Sequence, residues 1–464
     1  MRSGPGGEGR GRMRRALPLA ALSARTAGEA VVVGLQSRLA DVDPTDFHVR
    51  TAERYAELLG RSRGALMKAG QMLSFTPTNP LVPTEFQPIY REALARLRNE
   101  APPMAPELAR SVLERELGRR TESAFAHFDW KPLAAASIGQ VHAAQLHDGR
   151  AVAVKIQYPG VAAAIRADLK NNELLATFLG LIFGLATKKL SFDLRGIAQE
   201  MSARITEELD YRLEAANQQG FAEAYRGHPF IHVPDVIGEL CTARVLTQEL
   251  VQGKSWNEAL AAKQELRDSW AEAIYRFIYA SNYRFRLFHA DPNPGNYIFH
   301  DDGSVSFLDF GCVKRFPREH ADAIYAIGRA CLRNDVRGVW HASVEGGFWR
   351  SSDPVTPEEV FAYWRGPWEM WWAPQPFAVT PEHVARCMER RLSPTGPSAN
   401  ALRYCTASPE YTVMGRIEMG QAFLVSQLRA SNYWGSMAAE YFEDATPVTA
   451  MGKLEHAFIA RSSS

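Results

Sequence analysis

The sequence predicts an α+β chain: a helical N-terminal extension, then a strand-rich segment, then a helix-rich C-terminal half. Three observations predict this. Helical periodicity runs from Thr51 to Asn99, broken by a Pro-containing stretch from Thr76 to Pro88. Two turn signals, Asp148-Gly149 and Asp301-Asp302-Gly303, each lie between short strand-like runs. After Pro317 the pattern is mainly helical to the end.

The 464 residues are enough for one domain of roughly 250 residues with large additions. The formal net charge is +1, so no global basic field argues for a nucleic-acid partner. Five scattered cysteines without a C-x-x-C argue against a disulfide framework or a zinc site and for a reducing compartment. His341 and His383 show no companion ligands at metal spacing and read as ordinary histidines.

Residues 1–45 are rich in Gly, Arg and Ala. Arg2, Arg10, Arg12, Arg14 and Arg15 precede a short apolar run, Ala16 to Leu22. The reading is a disordered basic tail or a start placed upstream of Met13, with a targeting segment as the alternative. The longest charge-free apolar stretch, Leu174 to Thr187, is shorter than the ~20 residues a bilayer needs. It reads as a buried helix, with contact to a membrane surface or a partner as the sharper alternative. The expected organisation is an extension at 46–120 and a strand-rich lobe at 121–253 with a helical insert near 161–205. A helical lobe at 254–464 follows.

Within the strand-rich lobe, Val141–Leu146 and Ala151–Gln157 flank the first turn. Period-2 alternation places Val152, Val154 and Ile156 on one face of the second strand, and Ala153 and Lys155 on the other. A small residue beside an ammonium group leaves room for a flat ligand. Residues 161–220 read as helical throughout. Val245 to Val251 returns to strand, and Asp268 to Tyr283 is a helix.

Chemistry concentrates in five places. The first is His289-Ala290-Asp291-Pro292-Asn293-Pro294-Gly295-Asn296, followed by the second hairpin and Asp309-Phe310-Gly311. Magnesium takes hard oxygen ligands, few of them from protein. Asn296 and Asp309 supply such oxygens, and Asp291 is placed to accept a proton or orient a nucleophile. H-x-D-x-x-x-x-N, a hairpin and D-F-G in that order match the catalytic loop and metal motif of protein kinases.

The second is Val152-Ala153-Val154-Lys155, which matches the kinase lysine that holds the α and β phosphates. The third is Ala134-Ala135-Ala136-Ser137-Ile138-Gly139-Gln140-Val141, at the place of a Gly-rich phosphate loop. Ala153, Glu249 and Val251 complete the nucleotide-contacting set. The fourth is the acidic run Glu207 to Glu214, where Asp210 and Glu214 fall at i,i+4 and Glu208 points elsewhere. Glu214 is the chosen partner of Lys155. The fifth is Lys68-Ala69-Gly70-Gln71, with Lys68 and Gln71 on one helix face.

Together the five motifs resemble the UbiB/ADCK (AarF, Coq8-like) family of atypical kinases, over Arg63 to Phe316. The K-x-G-Q motif, the alanine-rich loop and the E-x-D motif of Glu208 and Asp210 carry the specificity. The resemblance implies a bilobal protein-kinase-like fold that uses ATP and Mg2+. It implies that the Lys68 segment folds over the active site, with Lys68 meeting Glu208 and Asp210, and that Gln71 belongs to the same guard. It further implies that Glu214 pairs with Lys155, that the alanine loop tunes nucleotide preference, and that the chemistry serves isoprenoid-quinone lipid metabolism.

No A-P-E motif and no long activation segment follow Asp309-Phe310-Gly311, which removes the platform for a peptide substrate. The leading reading is an ATP-dependent atypical kinase or ATPase, cytoplasmic, with lipid or quinone precursors and a peripheral membrane surface as partners. Two alternatives fit the same residues: a phosphotransferase acting on a prenol or sugar, and a nucleotide-gated scaffold for lipids or enzymes. The cluster Phe361, Tyr363, Trp364, Trp368, Trp371, Trp372 and Phe377 reads as packing of C-terminal helices, with an aromatic surface for lipid as the alternative.

Overall fold

The computed structural model describes residues 45–62, 89, 93, 103–136, 138–169, 199, 202–203, 205–315, 317–393, 395–406 and 409–462. Lys68, Gln71, Ser137, the stretch Leu174 to Thr187 and residues 1–44 lie outside them.

Ten strands matter to the site: β1 His127–Phe128, β2 Ala134–Ala136, β3 Gly139–Gln145, β4 Ala151–Gln157, β5 Ile231–His232, β6 Val245–Glu249, β7 Phe288–His289, β8 Tyr297–Phe299, β9 Val305–Phe307 and β10 Val313–Lys314. One sheet has the order β1-β3-β4-β6, with β2 also paired to β3. A second has the order β5-β9-β8, and β7 pairs with β10. The fold is kinase-like, mixing these sheets with a helix-rich C-terminal half.

The chain divides into two compact units. One holds residues up to 121 together with 128–143 and 155–209. Its helix Pro106–Leu117 stops at Gly118, whose φ of 64° is the left-handed end that glycine tolerates. The pairing of β2 with β3 sets Ala136 opposite Gly139. A Cβ at Gly139 would stand 2.2 Å from the Ile156 carbonyl oxygen, so only glycine allows that backbone approach.

The other unit holds 122–127, 144–154 and 210–464. Val152 and Val154 are fully buried on β4, as alternation requires. The first turn closes at Gly149, with φ 90°, and the second at Gly303, with φ 86°. Both are conformations that glycine adopts without steric cost. The core is built on the helix Gln264–Ala280, which is buried from Trp270 to Ala280. Apolar residues at almost every position of that stretch leave it no solvent face. It ends in a π-turn, Ser281–Phe285, and Arg286 at φ 54° turns the chain into β7.

The sequence reading of one helical run through 161–220 is corrected here. Glu208 and Leu209 form a turn, and Asp210 is extended (φ −128°, ψ 100°) as the N-cap of the helix Tyr211–Ala224. Its carboxylate accepts from the Arg212 backbone N–H at 3.1 Å. An aspartate satisfies an otherwise orphaned amide this way, so the chain breaks there. Asp210 and Glu214 are therefore cap and first-turn residue rather than i,i+4 neighbours inside one helix.

The aromatic cluster at 361–377 packs inward. Tyr363 and Trp371 are buried, and Phe361, Trp364, Trp368, Trp372 and Phe377 are only partly accessible. Among the described residues no helix is long and apolar enough to cross a membrane.

Candidate active site

In the 210–464 unit, three stretches converge on one loop. β7 delivers the chain into Ala290, whose N–H donates to the Cys312 carbonyl at 2.8 Å. β7 and β10 pair with Val313 opposite His289, so the two chemical loops leave from neighbouring strands. Between them, β8 and β9 pair with Tyr297 opposite Phe307. The Leu308 N–H then donates to the Asn296 carbonyl at 2.8 Å, which brings the Asp309 turn beside Asn296.

Asn296 is buried, and its amide Nδ2 donates to the Asp291 carboxylate at 3.1 Å and to the Asp291 carbonyl at 3.2 Å. That fixes the amide's orientation: with the NH2 group on Asp291, Oδ1 is turned the other way. Asn293 caps the intervening turn by accepting from the Gly295 N–H at 3.0 Å, and Pro294 stiffens it. Asp309 adopts φ 58°, the left-handed region uncommon for a non-glycine residue. One of its carboxylate oxygens accepts from the Gly311 N–H at 3.1 Å. Asn296 Oδ1 and the Asp309 carboxylate are hard oxygen donors, which fit Mg2+, and Asp291 stands beside them.

Two contacts that hold this turn carry roles the sequence reading did not assign. His289 Nε2 donates to the Asp309 carbonyl at 2.8 Å, which fixes the proton on that nitrogen. Asn217 Nδ2 donates to the Phe310 carbonyl at 3.1 Å. Phe310 is fully buried, with its ring 4.8 Å from Phe221 and 5.2 Å from His289. Glu214, Asn217 and Phe221 recur at three- and four-residue spacing on the helix Tyr211–Ala224, and Glu214 is 4% exposed. The spacing of Asn217 and Phe221 from Glu214 was the available sequence signal.

Asp210 holds Arg212 at 2.6 Å on the surface. Glu249 ends β6, with its carboxylate 3.2 Å from His232 Nε2. That hydrogen bond holds Glu249 below, and His232 above, its ordinary range. Val251 follows β6 and is partly exposed, and Ala153 is buried on β4.

In the other unit, Lys155 is partly exposed on β4 and Glu208 sits in the turn before Asp210. Ala134, Ala135 and Ala136 form β2 with mostly accessible side chains, and Ile138 is buried. Val141 lies opposite Ala134. Gln140 is committed inward. Its Oε1 accepts from the Met104 N–H at 2.7 Å, and its Nε2 donates to His142 Nε2 at 2.7 Å. His142 in turn donates from Nδ1 to the Asp129 carbonyl at 2.8 Å. Burial pushes His142 below its ordinary range, consistent with this neutral relay. Gln157, also buried, donates to the Leu209 carbonyl at 3.3 Å.

A strand-borne lysine and an oxygen-lined loop braced by a D-F-G turn are the features of a protein-kinase-like chain. Residues 96–343 match the ABC1 atypical kinase-like domain, and the chain belongs to that family. It is 37% identical over 286 residues to the mitochondrial atypical kinase COQ8B of Rattus norvegicus, covering 61% of this chain and 52% of that one. It is 32% identical to the mitochondrial atypical kinase COQ8 of Saccharomyces cerevisiae, covering 64% and 57%. The chain thus spans little more than half the length of these curated relatives. It is also similar to a solved structure, Rv3197 of Mycobacterium tuberculosis in complex with erythromycin. That likeness has a TM-score of 0.61 and 29% identity, covering 90% of this chain and 98% of that one.

Proposed function

We propose that this chain is a Mg2+-dependent ATPase or kinase of the atypical class, acting in isoprenoid-quinone or related lipid metabolism rather than on proteins. The observation that carries the reading is the Asp291–Asn296 hydrogen bond set beside the Asp309 turn. Asn296 Oδ1 and the Asp309 carboxylate would hold the metal, which when bound neutralises phosphate charge. Asp291, fixed by the Asn296 amide, accepts the proton of an acceptor hydroxyl or orients a water. Lys155 aligns the α and β phosphates, with Glu214 as its partner.

Ala134 to Val141, Ala153, Glu249 and Val251 surround the nucleotide. At Gln140 the contact is backbone only, since the side chain faces inward. Lys68, Gln71, Glu208 and Asp210 form the guard that the family motifs imply. The domain limits proposed are 46–120, 121–253 and 254–464. Lipid or quinone precursors and a membrane surface are the proposed partners, and nucleic acid is not among them.

The test is Mg2+-dependent ATP turnover by the purified chain. Asp309→Asn should abolish hydrolysis, and turnover equal to the native chain would remove the metal assignment. A quinone and lipid profile of cells carrying Asp291→Asn decides the pathway. A profile unchanged from wild type would exclude catalysis in quinone metabolism.

A further inference from the structure

The sequence reading found His383 no companion ligand and passed over Cys387, four residues on; the structure groups it with Cys387 and Glu369. His383 and Cys387 lie one turn apart on the helix Pro381–Leu392, and both are buried. Glu369 comes from the 3-10 segment Gly366–Trp371. One ligand atom from each of the three lies within 4.8 Å of the others. Cys387 Sγ is 3.5 Å from His383 Nε2 and 3.8 Å from Glu369 Oε2.

Those separations are informative. Zinc bonds of about 2.3 Å to sulfur and about 2.0–2.1 Å to nitrogen and oxygen, at tetrahedral angles, put the ligand atoms about 3.5 Å apart. The two separations from Cys387 Sγ already match edges of such a tetrahedron to within a few tenths of an ångström. Their approach is braced from outside. Thr380 caps the helix by accepting from the His383 N–H at 3.2 Å, and the Phe377 ring meets the imidazole edge-on at 4.9 Å. The cluster also already holds a cation. Arg390 Nη2 is hydrogen-bonded to Glu369 and lies 3.6 Å from Cys387 Sγ. The Arg390 side chain is 53% exposed, so it can withdraw into water without leaving a buried charge behind.

We propose that Glu369, His383 and Cys387 form a site for a thiophilic divalent cation of the zinc class, entered as Arg390 swings out. One sulfur, one imidazole nitrogen and one carboxylate oxygen are a zinc-type set, unlike the all-oxygen pair at Asn296 and Asp309. Binding breaks the Cys387 S–H bond and forms a sulfur–metal bond. The proton passes to solvent, and water fills the fourth position. The metal would tie the tryptophan-bearing segment 364–372 to the helix Pro381–Leu392.

The test uses the full chain, stripped by chelator and titrated with zinc against a chromogenic competitor. Cobalt(II) serves as the spectroscopic probe. One zinc equivalent per chain and a thiolate-to-cobalt charge-transfer band are expected. Cys387→Ser and His383→Gln should each weaken zinc binding by about tenfold or more and remove the band. Cys405→Ser should leave both intact. Arg390→Ala, at an accessible position that does not threaten folding, should tighten binding. Absence of stoichiometric uptake, or uptake unchanged in both ligand variants, overturns the site. Unchanged or weaker binding in Arg390→Ala overturns the exchange of guanidinium for metal.

Discussion

Two single positions show how closely backbone and charge are set. At Gly139 an added Cβ would meet the Ile156 carbonyl oxygen at 2.2 Å, and a backbone atom cannot step aside as a side-chain tip can. Gly139→Ala should therefore cost about 1–3 kcal/mol, read as a lower denaturant midpoint. A variant as stable as the native chain would mean that the turn relaxes freely. Glu418 lines a cavity with Tyr279, Asn282, Trp368 and Gln421. Burial pushes its carboxyl up to about 7, against the pull of Arg391. An acid raised in the folded state keeps its proton while the unfolded chain loses it, so stability falls as pH rises from about 4.5 to 7. Glu418→Gln should raise the melting temperature at pH 8 and do so less at pH 5. A pH-independent difference would reject this account.

Among the elements, the helix Tyr211–Ala224 braces the D-F-G turn. It buries Glu214, bonds the Phe310 carbonyl through Asn217, and packs Phe221 on Phe310. Its start depends on Asp210. Asp210→Ala should cost about 1 kcal/mol from the lost cap, since the Arg212 pair is exposed and adds little. Thermal denaturation measures it, and a cost near zero would mean that solvent caps the helix equally well. This helix also marks the limit of what the sequence revealed. The hairpins and the loop from His289 to Asn296 were legible because turn residues and alternation are local signals. The break at Glu208–Asp210 was not, because helix formers on both sides masked a cap whose effect is to end one helix and begin another. The inward commitment of Gln140 was equally hidden, since its partner Met104 lies 36 residues away. Cys387, one helical turn after His383, was a local signal that the sequence reading missed, and Glu369 reaches the pair only through folding of the segment between.

Across the 210–464 unit, cohesion passes through one buried cation. Arg276 is fully buried and meets Glu272 at 2.8 Å, Glu440 at 2.7 Å and Glu455 at 2.8 Å. It thereby joins the central helix Gln264–Ala280 to the helices Trp434–Phe442 and Ala450–Ser462. Tyr441 adds a hydroxyl to Glu455 at 2.8 Å. Removing the guanidinium leaves three carboxyl groups facing one another in the interior. Arg276→Met should cost about 3–5 kcal/mol and free the C-terminal helix first, as seen by amide exchange. A loss under ~1 kcal/mol would mean that the carboxyls rearrange into water.

The left-handed backbone at Asp309 has an evolutionary consequence. Glycine occupies φ 58° with no Cβ penalty, and asparagine is also tolerated there. A library screened only for heat resistance should therefore drift away from aspartate at this position. A library screened for turnover should hold it, because the proposed metal role needs the carboxylate. Sequencing the two pools would show whether selection for durability and selection for chemistry part company at this residue.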